Sequence, residues 1–592
     1  MKLHYPITLI FLITIFSHTL MAMESNLIQN IVLSGNESFS DEQIHAKMKT
    51  EIGANYDEEV LKQDFERIIE FYRKHGFQFA RIDEMRQLIK EFADGVFLHI
   101  YIDEGTIGEI SVEGNTRTKD YVIIRELLFQ VGDTYTVEDE LESERILRRK
   151  SYLGTAEIEA TWDVETMSVT IHVQVSDLWS FIPALDLPAF GQGSSNFLMQ
   201  IADSNLFGSG NRLRFRYQII NEDGEKTRSL VQSRYTVPRL SDSYWEFDGQ
   251  YTQKREGDSW EMRLRRPQYS LKTRWSADLS ISESFDEIRW YEHGKKTDTF
   301  DRSRQSHSGQ ITRYFGDRHR QTRLSFWTLS RRSKFTQIEK LAPSDADFQD
   351  RNIKMVGILI GRRNVDFVRT RFLNQMGRVE DVGIGYGYSV SLGRASPLFG
   401  SDRSDTSVSL RFFLSEAHED LFFLNAQTGL TTRFADKDSI FNTSVKLTRK
   451  DLFHQTLAAQ VSTMMQFGLK GESQIILGGL NGLRGYDSRQ FSGENMLLFN
   501  IESRTIFRGG AFRKLENWIV LGSAVFADVG YVWNGEEFDL REPKRSVGFG
   551  LRVSIPKLSG SRIYRFDLAF PLDNPEESSR NPVFTYGVGH VF

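Results

Sequence analysis

No cysteine occurs among the 592 residues. Disulfides, thiolate metal sites and cysteine nucleophiles are therefore excluded, and the chain carries no thiols to mispair in an oxidising compartment. Long apolar runs are just as scarce. After residue 22 no stretch approaches the roughly twenty consecutive apolar residues that a membrane-spanning helix requires. Mean hydropathy is −0.40. A closed barrel is the other way through a bilayer, because it pairs every backbone group between strands and its alternation vanishes in hydropathy averages. Motifs of catalysis are missing as well: there is no GxSxG elbow, HExxH motif or P-loop. The expectation is a protein that is not an enzyme and uses no cofactor and no metal. EAHED (416–420) comes nearest to a metal cluster, and it reads as a solvated turn between strands.

What is present begins with a secretory-type segment, 1–22. Lys2 supplies positive charge and residues 7–20 an apolar core. Ala22 offers a cleavage position, although Leu20 stands where a small residue is preferred. A retained anchor is the alternative. The length predicts at least two domains. Charge divides the chain: residues 24–177 hold 32 Asp and Glu against 16 Lys and Arg, a net of −16. The whole chain is −6 and Lys2 lies outside that region, so 178–592 carry +9. Such a split marks two regions in different surroundings. The acidic region argues against a nucleic-acid partner. The basic one suits an arginine-lined lumen or anionic lipid at an outer leaflet.

The acidic region contains a repeat. IQNIVLSGN (28–36) is strand-like, Ser40 with Gln43 forms a capping-box pattern, and Val60, Leu61, Phe65, Ile68, Ile69 and Tyr72 recur at helical spacing before Gly76. Strands follow near 77–82 and 96–103. IGEISVEGNTRT (107–118) restarts the order, with helices near 119–129 and 137–151 and strands near 156–163 and 168–175. The shared order is β-α-α-β-β, which means two similar modules in tandem.

From residue 178 the period becomes two. Leu213, Phe215, Tyr217 and Ile219 share one face opposite Arg212, Arg214, Arg216 and Gln218. Trp275, Ala277, Leu279 and Ile281 oppose Arg274, Ser276, Asp278 and Ser280. Segments of about ten alternating residues, the last ending in an aromatic, Phe592, are the pattern of a transmembrane barrel. At about 25 residues per strand and turn, the region predicts about sixteen strands. GIGYGY (383–388) reads as a strand with glycines on one face, where a plug could pack. The predicted fold is thus α+β tandem modules followed by an antiparallel β-barrel. The domains are 1–22, 23–105, 106–177 and 178–592.

Several motifs carry a family resemblance. Val112–Asn115, echoed by LSGN (33–36), resembles the start of a POTRA domain. DSNLFGSG (203–210) resembles a turn after the second barrel strand, and LRGY (483–486) a plug-loop motif. Together these resemble the BamA/TamA superfamily of outer-membrane assembly and two-partner secretion proteins. The resemblance implies that Arg484, with Gly485 and Tyr486, folds back into the lumen to meet Asp528 and Asp567. Glu502 and Arg504 in NIESR match the strand motif after the loop, and alternation puts both on the lumen face. It further implies an outer-membrane location with the modules in the periplasm. The partners would be unfolded outer-membrane or secreted polypeptides, outer-membrane lipid, and periplasmic proteins at the modules.

The seam is the remaining candidate. Pro183 and Pro188 fall in the expected first strand, and Gly587 and Gly589 in the expected last one, 583–592. Proline cannot donate to a ladder and glycine weakens a strand. A loosely laddered seam could open and template an incoming strand; an ordinary closed seam is the alternative. Three functions stay open: insertion of client barrels, secretion of one dedicated partner, and passive porin-like conduction.

Overall fold

The computed structural model describes residues 26–592 apart from 93–94, 187–193, 223–226, 256, 293–294, 342–347, 453–454, 469–472, 488, 509–511, 513–514, 536–539, 560–562 and 574–581. The expected signal segment, 1–22, and Pro188 lie outside the described residues. Two compact units emerge. One comprises Met1–Glu113, Glu126–Leu147 and Ala156–Val175; the other comprises Gly114–Arg125, Arg148–Thr155 and Ser176–Phe592.

Both repeats form. The first runs strand Ile28–Ser34, helices Asp41–His45 and Glu58–Lys74, then strands Arg81–Ile82, Leu88–Phe92 and Gly95–Asp103. The second runs strand Ile107–Glu113, helices Asp120–Ile124 and Val137–Arg148, then strands Leu153–Asp163 and Ser168–Asp177. In each, the opening strand lies parallel to the closing one. The Gly-Asn turn explains why the repeat recurs. Gly35 and Gly114 adopt φ of +79° and +83°, which glycine tolerates. Asn36 Nδ2 donates to the Phe39 carbonyl and Asp41, and Asn115 Nδ2 makes the equivalent bonds to Thr118 and Asp120. The expected capping box forms, with Gln43 accepting the Ser40 N–H at 3.0 Å. One departure is the strand expected at 77–82. It shrinks to Arg81–Ile82, because 77–80 turn off the helix end, with the Phe77 N–H on the Tyr72 carbonyl at 3.1 Å and the Ala80 N–H on the Phe77 carbonyl at 3.3 Å. After the Asp83 turn, Leu88–Phe92 pairs with the closing strand.

The second unit carries the barrel. Among the described residues, twenty antiparallel strands from Phe181–Asp186 to Val583–Val588 close on themselves. The expected sixteen is corrected: turns such as 317–319 and 419–421 are short, so strand and turn together occupy about 21 residues rather than about 25. Alternation holds as expected. Phe215, Leu279, Phe326, Ile360 and Phe549 stand exposed on the outward face, a lipid-facing band far larger than a soluble monomer displays. Inward, arginine pairs with acid: Arg234 with Asp248 at 2.9 Å, and Arg263 with Asp278 at 2.5 Å.

Candidate functional site

Between the strands Gln455–Phe467 and Asn495–Ile506 the chain makes a small hairpin, Ile475–Leu477 against Phe491–Gly493, whose tip carries Arg484. Arg484 is fully buried. Its Nε and Nη2 both donate to Asp528 at 2.8 Å, and its backbone N–H reaches the same carboxylate at 3.2 Å. Nη1 donates to Glu502 at 2.8 Å and lies 3.6 Å from Asp567. The guanidinium stacks 3.4 Å from the Phe526 ring centre. The fork onto Asp528 matches the expected geometry. Asp567 is nearer to Arg552, at 2.6 Å, and Arg565, at 3.1 Å. Glu502 also binds Arg504 at 3.0 Å and Arg552 at 3.2 Å. Four guanidinium groups thus interleave with three carboxylates. Motif reading missed Arg552, Arg565 and Asn500, which donates to Asp528 at 2.7 Å. Period-two alternation from Gly550, which lies opposite Asp567, marks Arg552 as inward-facing.

The loop is held at two further places. Gly485 takes φ +90°, and a Cβ there would sit 3.0 Å from that of Ser546, so the turn needs glycine. Tyr486 is buried with Leu477, Leu483 and Leu498, and its hydroxyl donates to the Arg545 carbonyl at 2.8 Å. The other anchor is Tyr291, at the end of strand Trp275–Glu292. Its backbone N–H donates to Gln474 at 3.0 Å, Ser492 Oγ donates to its carbonyl at 2.9 Å, and Arg489 donates to its hydroxyl at 2.6 Å. No sequence signal links Tyr291 to the loop, since the contact joins distant strands. DSNLFGSG forms the turn after the second barrel strand, Ser194–Leu206, as expected. Asn205 accepts the Gly210 N–H at 2.7 Å and donates to Thr118 at 2.8 Å, inside the same unit.

The seam lies between the strands Phe181–Asp186 and Val583–Val588. Pro183 lies exposed in the first, opposite Ile201. Gly587 lies in the last, where a Cβ would meet Arg565 at 2.6 Å. The last strand ends earlier than expected. Gly589 takes φ +90° and its N–H bonds the Ile563 carbonyl at 2.7 Å. The residues after it turn to the lumen, where Lys446 and Arg504 each donate to the Phe592 carbonyl at 3.3 Å. Trp179 instead bonds across to the turn before the nineteenth strand, through Lys557 and Ser559 at 2.8 and 3.0 Å. Ser204 and Ser559 hydroxyls meet there at 2.5 Å.

Residues 27–105 and 106–175 each match the POTRA family, described as a surface antigen variable number repeat. Residues 205–592 match the Omp85 superfamily domain. The chain belongs to the Omp85 superfamily. It is an outer-membrane barrel with its POTRA modules in the periplasm, as the resemblance implied. Among Omp85-type relatives, a Treponema pallidum (strain Nichols) protein provisionally named an outer membrane protein assembly factor is 20% identical over 266 residues. That match covers 43% of this chain and 31% of the relative. The outer membrane protein assembly factor BamA of Nitratidesulfovibrio vulgaris (strain Hildenborough) is 24% identical over 194 residues, 32% of this chain and 24% of that protein. This chain therefore spans less than a third of either relative. CdiB from Escherichia coli shares the fold, with a TM-score of 0.51 at 14% identity over 95% of this chain and 90% of that one.

Proposed function

We propose that this Omp85 chain is an outer-membrane assembly factor: unfolded client polypeptides dock on the POTRA modules and insert through the barrel seam. The observation that carries the reading is the seam itself. The first strand carries Pro183, which has no N–H to give to a ladder, and the last leaves the wall at Gly589, where φ is +90°. Both features weaken a ladder, so a client strand can replace it by β-augmentation. The Arg484 cluster keeps the loop seated in the lumen beside that seam. The names of the two relatives agree with this role. A second reading, secretion of one dedicated partner through the lumen, draws on the twenty-strand circumference, since barrels of 16–18 strands already leave aqueous channels.

The test is folding of an unfolded model barrel protein into liposomes with and without the full chain. Controls are Arg484→Ala and a deletion of residues 24–177. The reading predicts acceleration that weakens in both variants. No acceleration by a folded, inserted chain overturns it in favour of the secretion pore.

A further inference from the structure

One hairpin leaves the barrel wall. Strands Arg351–Arg371 and Val379–Ala395 pair with their outer neighbours only as far as Asn364 and Gly385. Beyond that they pair only with each other, for six rungs from Asp366 opposite Ile384 to Arg371 opposite Val379. The turn 372–378 lies at the periplasmic end, where the chain enters the barrel at Phe181, because strand direction alternates.

The tip of this arm lies in the mouth of the lumen. Leu373 and Met376 are 3% and 4% exposed. Met376 packs with Val520, Ile563 and Ile506, residues that share the inward faces of Asp528, Asp567 and Glu502 by alternation. The Phe372 ring lies 3.6 Å from the Arg508 guanidinium. From the fourteenth strand, Lys450 donates to Thr370 at 2.5 Å and Lys446 to Asn374 at 3.5 Å. The tip holds its own shape: Glu380 accepts the N–H groups of Leu373, Asn374 and Gln375 at 3.0–3.1 Å. The arm bends at Gly385, where φ is +123° and a Cβ would lie 2.0 Å from the Asn364 carbonyl oxygen. Only glycine fits that bend. This is the position where the glycine face of GIGYGY was expected to receive a plug; the glycine serves the arm instead.

A two-stranded ribbon is marginal in water without further packing. This arm is ordered by its apolar seat and by polar contacts. The strongest of these are the Arg148 fork onto Asp381 at 2.9 and 3.0 Å and the bond from Arg378 to the Leu153 carbonyl at 2.5 Å, so opening must release these pairs as well as the seat. We propose that the arm 365–385 is a plug of the periplasmic mouth, hinged at Gly385, which leaves its seat on Ile506, Val520 and Ile563 to open the lumen. The Arg484 loop closes the lumen from the other end, so the barrel has two obstructions in series. The proposal concerns access to the lumen and stands whether clients are inserted or secreted.

The test uses the full chain with Met376→Cys and Val520→Cys in planar bilayers, in the parental and Arg484→Ala backgrounds. The chain has no other cysteine, so a single disulfide reports the seat. The pair should cross-link readily on oxidation. With Arg484→Ala removing the other obstruction, reduction should raise conductance several-fold over the locked state. A folded barrel in which the pair does not form, or in which locked and released arms conduct alike with Arg484→Ala, overturns the proposal. A chain whose arm opens in this way but never accelerates client folding would keep the plug and lose the insertion reading.

Discussion

Arg484 holds the loop through charge buried on every side. Taking such groups out of water is costly, and the cluster persists because Arg484, Arg504 and Arg552 each hydrogen-bond a carboxylate, with Arg565 adding its charge 3.1 Å from Asp567. Removing one partner leaves the others uncompensated. Arg484→Ala should therefore lower the urea stability of the folded barrel by about 3–5 kcal/mol, read from tryptophan fluorescence. Arg484→Lys keeps the charge but loses the fork, so it should fall between. A loss in Arg484→Ala under about 1 kcal/mol, the value of an exposed pair, would contradict the geometry. The sequence disclosed Arg484, Asp528, Asp567 and Glu502 through motifs. Arg552 and Arg565 were hidden in plain alternation, since a strand's pattern separates two faces without saying which residues of other strands share the site.

At the scale of elements, helix Glu58–Lys74 shows what periodicity does and does not tell. Leu61, Ile68 and Tyr72 face the core as expected, but Asp64 is buried beside them. It ties the helix to the preceding loop by accepting the Lys49 and Thr50 N–H groups at 2.7 and 2.8 Å and the Thr50 hydroxyl at 2.5 Å; Arg67 also reaches it. Burial pushes its carboxyl up, but these bonds together outweigh burial and hold it below the ordinary aspartate value. A depressed carboxylate stabilises the fold above its unfolded value, about 3.9, and that stability is lost as pH falls through the folded one. Amide exchange in this helix should therefore quicken in Asp64→Asn at neutral pH. The gap between variant and parent should close as pH falls below about 4. A gap that widens on acidification would refute the assignment. The two modules and the alternation were legible because local pattern dictates them. The strand count was not, because turn length is set by how neighbouring strands meet, and the free arm of strands ten and eleven resembles wall strand residue by residue.

For the whole molecule, the charge split follows the two surroundings: acidic modules in the periplasm, and a basic barrel whose arginines line the lumen against paired acids. The proposed gate is the closing pair of strands, with Trp179 and Ser204 bonded across it to the turn at Ser559. That contact gives the most direct measurement. A Ser204→Cys/Ser559→Cys chain, free of other cysteines, can be stapled across the seam by oxidation and released by reduction while a model barrel folds into liposomes. If clients insert through this seam, acceleration disappears in the stapled chain and returns on reduction. Full acceleration with the staple closed would contradict the account.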